Sequence, residues 1–177
     1  MSKRKSLHNP LIFDTSALYN FGHRGQLNDL LKILSERFTL IISTEVFYET
    51  RSEPNRSFYD EIIKTYFKIE VLDLPNKYLE MFKDISARLD KGETEVLGLS
   101  LQLKGTAIID ERAARKLADK YELNCNGTLG LLKYFYDEKI IDDKRAVNII
   151  DKIKGKGFHL PEFNTDSFND FIKKIGG

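Results

Sequence analysis

Two short apolar runs in this chain each end on an aspartate. Leu11-Ile12-Phe13 leads into Asp14, and Ala107-Ile108-Ile109 leads into Asp110. Between them stand Glu49 and Glu93, each on an expected helix beside an expected strand. In an open parallel sheet, ligands bind outside the carboxyl ends of the strands, so carboxylates there are placed for chemistry. Four acidic groups that converge suit Mg2+ or Mn2+, which prefer hard oxygen ligands. Mg2+ keeps several of its waters, so a few carboxylates suffice. A metal so held lowers the pKa of a bound water and neutralises charge on a phosphoryl oxygen, and two metals ~4 Å apart hold both attacking and leaving oxygens. Phosphodiester hydrolysis needs these functions and needs no protein nucleophile. Zinc is not indicated: Cys125 has no neighbouring histidine, and His8, His23 and His159 show no ligand spacing.

Each of these residues also has a plainer role open to it. Asp14 and Asp110 suit the turn or cap that follows a strand. Asp90-x-x-Glu93 is close to a capping box, in which Glu93 would only satisfy a backbone N–H. Glu49 taken alone is an ordinary surface glutamate. Glu95 lies ~200° round the helix from Glu93 at ~100° per residue, so only one of the two is expected at the site. Arg112 and Arg115 follow Asp110 at helical spacing and could reach a substrate phosphate; a solvated helix face or internal salt bridges would explain them as well. Lys3, Arg4 and Lys5 could add phosphate contacts, a solvated tail being the simpler reading.

The elements that must position these groups follow from the apolar pattern. Residues 1–10 form a basic, polar lead-in, and Leu11–Phe13 reads as a strand buried on both faces. Leu27, Leu30, Leu31 and Leu34 recur at helical spacing, and Phe38–Ile42 is the second strand. Ser43 or Thr44 caps a helix starting near Glu45, which stops before Pro54. Ser57–Phe67 is helical and Ile69–Leu72 a third strand. Asn76 caps a helix carrying Leu79, Phe82, Ile85 and Leu89, broken at Lys91-Gly92. The next helix runs from near Glu93 to Lys104 and ends on Gly105 in the usual position beyond the cap. Thr106–Ile109 is the strand that delivers Asp110, and Arg112–Tyr121 the helix after it. Leu123–Asn126 is a short fifth strand, and Thr128 opens a further helix. From Phe158 an irregular piece leads to a closing helix capped by Thr165. Strands alternating with helices, without repeats, predict a three-layer α/β domain.

Composition sets the outer limits. The chain has 177 residues, 41% hydrophobic and 31% charged, which suits one soluble domain with a substantial core. Its formal charge is +1, so nucleic-acid binding would need a local basic patch. The single cysteine excludes an intramolecular disulfide and a multi-cysteine zinc site, and suits a reducing compartment. The basic lead-in MSKRKSLHNP runs into only three successive apolar residues before Asp14, too short in apolar content for a signal peptide, and no run approaches ~18 apolar residues. A cytoplasmic protein without membrane association is expected.

With these residues in view, the sequence resembles the PIN-domain nucleases, and within them the VapC-like toxins of toxin–antitoxin pairs. The likeness spans about residues 11–160. It rests on LIFDTSALYN, on Ser43-x-x-Val46-x-x-Glu49, on LDKGETEVLGLS (89–100) and on AIIDERAARKLA (107–118), in that order. NGTLGLLKYFYDEKIID followed by GKGFHL is similar to one branch with a Gly-Thr-Leu-Gly helix start. The resemblance implies a parallel five-stranded sheet between helices, a Mg2+- or Mn2+-dependent endoribonuclease acting on RNA, and a homodimer. It makes Asp14, Glu49, Glu93 and Asp110 the acidic, metal-binding site, with Ser16 as the small hydroxyl residue supporting the first aspartate. Family members often carry Asp where this chain has Glu93, which reaches further. A toxin role would add a cognate antitoxin as partner. The implied division is a lead-in at 1–10, a nuclease domain at 11–160 and an extension with a closing helix at 161–177. One rival is a non-catalytic PIN module that binds RNA or protein as a scaffold. Another, an aspartyl-phosphate phosphatase, would want a second Asp two residues after Asp14, where Ser16 stands.

Overall fold

Leu11–Phe13 (β1) is wholly buried and forms the middle strand of a five-stranded sheet. The computed structural model describes residues 6–154 and 167–175. The other strands are Leu40–Ser43 (β2), Phe67–Glu70 (β3), Thr106–Ile108 (β4) and Cys125–Asn126 (β5). Their order across the sheet is β3-β2-β1-β4-β5, with every neighbouring pair parallel. Parallel neighbours need long crossovers, which are helical here and cover both faces. The helices before the sheet centre is crossed are Thr15–Tyr19 (α1), Asn28–Arg37 (α2), Thr44–Arg51 (α3), Arg56–Tyr66 (α4) and Leu79–Ser86 (α5). After them come Lys91–Leu103 (α6), Arg112–Lys120 (α7), Thr128–Asp137 (α8), Asp143–Lys154 (α9) and Phe168–Ile175 (α10). The expected three-layer α/β fold with five parallel strands is the fold observed. Among the described residues no helix is long and apolar enough to cross a membrane.

The topology decides where a ligand can enter. From β1 the chain builds outward through β2 to β3, then crosses back to lay β4 on the other side of β1. The order reverses between β1 and β4, and such a switch point opens a crevice at the carboxyl ends of the two strands. Phe13 is paired with Ile108, and the Asp14 N–H donates to the Ile108 carbonyl at 3.0 Å. Asp14 and Asp110 therefore leave adjacent strands at one rim. Helix α6 lies against β1, β2 and β4, with Val96, Leu97 and Leu99 fully buried. Its first turn stands at the same rim.

Several boundaries differ from the sequence expectation, each for a physical reason. Helix α4 runs straight into β3, which is Phe67–Glu70 and not Ile69–Leu72. This is an edge strand, so Ile69 and Val71 stay exposed, and apolar character alone pointed too far along the chain. Asn76 caps no α-helix: it opens a 3-10 turn, Asn76–Tyr78, and α5 starts at Leu79. Lys91-Gly92 is not a break, because Asp90 caps α6 by accepting from the Glu93 N–H at 2.9 Å, and both residues lie in its first turn. At the other end of α6 the left-handed residue is Lys104 (φ 54°), not Gly105. Gly105 serves close approach instead, since a Cβ there would stand 2.4 Å from the Pro10 carbonyl oxygen. Helix α9, which the sequence reading passed over, buries Ala146, Ile149, Ile150 and Ile153. Helix α10 adds Phe168 and Phe171 to the same core, and the Phe168 N–H donates to Asp143 at 2.9 Å. The expected cap Thr165, the tail Lys3-Arg4-Lys5 and the GKGFHL segment lie outside the described residues.

Candidate active site

Asp14 ends β1 with extended backbone and is 6% exposed. Its Oδ2 accepts from the Ser16 N–H (3.2 Å) and Ser16 Oγ (2.7 Å), so Ser16 supports it directly. Burial raises the Asp14 pKa; the Ser16 bonds oppose that rise and the charge of Asp90 adds to it. Glu49 stands in the second turn of α3, which Ser43 caps by accepting from the Val46 N–H. Its carboxylate accepts from the Thr15 hydroxyl, which ties α3 to α1 beside Asp14. The Glu49 pKa is raised by burial, and further by Asp14, Asp90 and Glu45.

Glu93, in the first turn of α6, is 9% exposed. Burial pushes its pKa up to about 7, with the charges of Asp90 and Asp14 contributing. Half of a capping box is present, the Glu93 N–H on Asp90, yet among the described residues no bond returns from the Glu93 side chain. Glu95 is placed differently. Its Oε2 accepts from the Glu45 N–H at 3.0 Å and so satisfies a free amide at the start of α3. Of the two glutamates, Glu93 is the one electrostatically joined to Asp14.

Asp110 leaves β4 and is held by three donors. Its Oδ1 accepts from the Thr128 N–H (2.8 Å), and its Oδ2 from Thr128 Oγ (2.5 Å) and Asn20 Nδ2 (3.0 Å). Burial raises its pKa, while Thr128, Asn20 and the nearby Arg115 charge lower it. Asp110 thus shares a rim with the other three but is anchored to α8 and to Asn20. Among the described residues no three His, Cys, Asp or Glu side chains stand close enough to share one metal ion. A family model for a PIN domain matches residues 10–176. The chain belongs to the PIN-domain family. No curated protein matches it.

PIN domains are in general divalent-metal-dependent nucleases, and the donor set of this one fits such a metal. Asp14, Glu49 and Glu93 are desolvated oxygen donors, the charge of Asp14 raises the pKa of both glutamates and that of Asp90 raises all three, and none forms an ion pair with a described residue. A hard cation relieves that repulsion. Mg2+ binds through one or two carboxylates plus waters, so a closed cage of three is not needed.

Two features of this PIN domain escaped the sequence reading. The first is Asp90, read only as a cap, whose charge raises Asp14, Glu49 and Glu93 alike. The spacing Asp90-x-x-Glu93 was the available signal, but capping and site membership look the same in one dimension. The second is the pair of glycines that give the carboxylates room. A Cβ on Gly92 would lie 2.7 Å from Glu49 Oε1, and one on Gly127 would lie 2.7 Å from Asp110 Oδ1. Gly92→Ala is therefore expected to keep the fold, since only the end of a side chain must move and alanine favours the helix by up to ~1 kcal/mol. Displacing Glu49 should still slow cleavage, on the order of a hundred-fold. Unfolding curves and cleavage rates measured on the same preparation check this; an active Gly92→Ala protein would show that Glu49 need not stay where it is.

Arg115 and Arg112 part company in the structure. Arg115 Nη1 lies 3.5 Å from where a Gly127 Cβ would be, and its charge acts on Asp110. Arg112 is exposed at the start of α7 and makes no ion pair with a described residue.

Proposed function

We propose that this PIN domain is a Mg2+- or Mn2+-dependent endoribonuclease, acting as a VapC-like toxin restrained by a cognate antitoxin and working as a cytoplasmic homodimer. The observation that carries the catalytic part is the group of carboxylates at the β1/β4 switch point, Asp14 and Glu93 buried and Glu49 and Asp110 half-buried. Asp14, Glu49 and Glu93 stand there desolvated, without a cationic partner among the described residues, and Asp110 stands on the neighbouring strand end. A soluble binding scaffold has no use for such repulsion.

In this reading Asp14, Glu49, Glu93 and Asp110 would hold one or two metal ions between them, each ion through one or two carboxylates plus waters, and the metal would supply charge neutralisation at the scissile phosphate and an activated water. Ser16 keeps Asp14 turned to the site through its two bonds to Oδ2. Thr15 orients Glu49, and Thr128 with Asn20 fixes Asp110. Glu93, whose pKa is pushed up to about 7 in the metal-free site, would release that proton as the metal binds. Arg112, exposed at the start of α7, and Arg115, whose charge acts on Asp110, would contact substrate phosphates in this reading.

Removal of the metal is the direct test. EDTA should abolish cleavage of single-stranded RNA, and added Mg2+ or Mn2+ should restore it. Undiminished cleavage in EDTA would exclude the metal mechanism. RNA binding without cleavage in Mn2+ would favour the scaffold reading.

A further inference from the structure

Helix α7 carries more positive charge than its internal contacts use. Arg112, Lys116 and Lys120 follow one another at intervals of four residues and are all exposed. They form one row along the helix, with roughly 6 Å of rise between successive cations, comparable with the step between phosphates along a strand. Lys116 and Lys120, with Ala113, Leu117 and Arg88, line a shallow groove of about 360 Å3 between α7 and the turn after α5. Among the described residues its lining holds no carboxylate, and Asp84 stands beside it bonded to Arg88 and Lys120.

Ion pairing explains only part of this row. Asp84 accepts from Arg88 (2.9 Å), Lys120 (2.8 Å) and the Tyr121 hydroxyl (2.5 Å), which ties α5 to α7. That leaves two cations on one carboxylate. Arg112 and Lys116 make no ion pair with any described residue. The surplus begins where Asp110 ends, because Arg112 is the first residue of α7. A row in which Arg112 and Lys116 are unneutralised and Lys120 shares Asp84 with Arg88, lying over an apolar floor and starting at the carboxylate rim, complements a polyanion entering or leaving that rim.

We propose that this groove carries the phosphate backbone of a single-stranded RNA away from the carboxylate site. Arg112, Lys116 and Lys120 on α7, and Arg88 opposite them, contact successive phosphates. The Leu117 and Ala113 floor leaves the bases unread, so the groove adds affinity and register without sequence preference. The inference rests on the ribonuclease reading above but concerns where the substrate lies.

The test compares the wild type with Arg112→Ala/Lys116→Ala and with the charge-preserving Arg112→Lys/Lys116→Arg. Neither side chain pairs with a described residue, so both variants should fold, and thermal melts check this. A labelled single-stranded oligoribonucleotide of mixed sequence is bound in EDTA, so that cleavage cannot interfere, across a series of salt concentrations. The alanine variant should bind roughly ten-fold more weakly at low salt, and its log–log salt slope should fall by roughly 1.4, two phosphate contacts on a single strand. The charge-preserving variant should match the wild type. An unchanged slope, equal weakening in the charge-preserving variant, or no RNA binding by the wild type would each overturn the proposal. A lowered slope in a protein that never cleaves in Mn2+ would keep the track and remove the nuclease reading. Cleavage by a protein whose slope does not change would do the reverse.

Discussion

Asp14→Asn is expected to abolish RNA cleavage while making the metal-free protein more stable, and Asp110→Asn to abolish cleavage at a loss of stability. Either change removes a carboxylate from the site, and losing several kcal/mol of charge stabilisation slows the reaction at least ~100-fold. The stabilities diverge because the two aspartates are held differently. Asp14 uses one oxygen, Oδ2, to accept both bonds from Ser16. An asparagine can keep its carbonyl there and turn its amide outward, while a buried charge facing Asp90, Glu49 and Glu93 disappears. A gain of roughly 0.5–2 kcal/mol follows, as at other sites where function is kept at the expense of stability. Asp110 accepts on both oxygens, so an amide group must face a donor from Thr128 or Asn20. That leaves a polar group unsatisfied and costs about 1–3 kcal/mol. Urea unfolding with and without Mg2+ reads both effects. Mg2+ should shrink the Asp14→Asn gain, since metal binding stabilises the wild type more. An Asp14→Asn protein clearly weaker than wild type without metal would make Asp14 chiefly the cap of α1.

The second large effect concerns pH. Glu93 titrates at about 7 in the folded protein against an ordinary 4.5. The folded state therefore holds this proton more tightly than the unfolded chain does. Its contribution to stability is complete below pH 4.5 and is lost as pH rises to about 7, by up to ~3 kcal/mol in the metal-free protein. Metal must displace the same proton, so Mg2+ affinity should rise across that window. Glu93→Gln should flatten the metal-free stability profile and lose most cleavage activity. Glu95→Gln should keep the profile and the activity, weakening only the cap on the Glu45 N–H. Denaturant unfolding in EDTA at a series of pH values separates these outcomes. Equal profiles for wild type and Glu93→Gln would mean that Glu93 is solvated and stands outside the site.

How far the site was legible varies residue by residue. Asp14 and Asp110 could be found because each follows an unbroken apolar run, and a buried parallel strand has no other appearance in sequence. Glu49 became legible only through the Ser43 cap that sets the phase of α3. Glu93 and Glu95 could be separated in angle but not assigned, since nothing local says which side of α6 meets β1. The same limit hid Asp90, whose cap bond is local while its field on three other carboxylates is not. Edges misled where exposure mattered: Ile69 and Val71 are apolar yet lie at the open side of β3.

The sequence by itself determined the alternation of strands and helices, the α/β class and the carboxylates at strand ends, while the parallel five-stranded sheet was what the resemblance to PIN domains implied. The first three follow from period, capping and chain direction, all of which act within a few residues. Only the tertiary structure decided that β1 and β4 are neighbours across the reversal of strand order, which brings Asp14 beside Asp110 over nearly a hundred residues of chain. It also decided that Glu93 turns inward while Glu95 caps α3, that Gly92 and Gly127 make room for carboxylates, and that α7 keeps unpaired cations beside the rim. Each of these depends on which surfaces meet. Desolvation, charge coupling and steric clearance are properties of neighbours in space, and a linear pattern carries them only where those neighbours are also close in sequence.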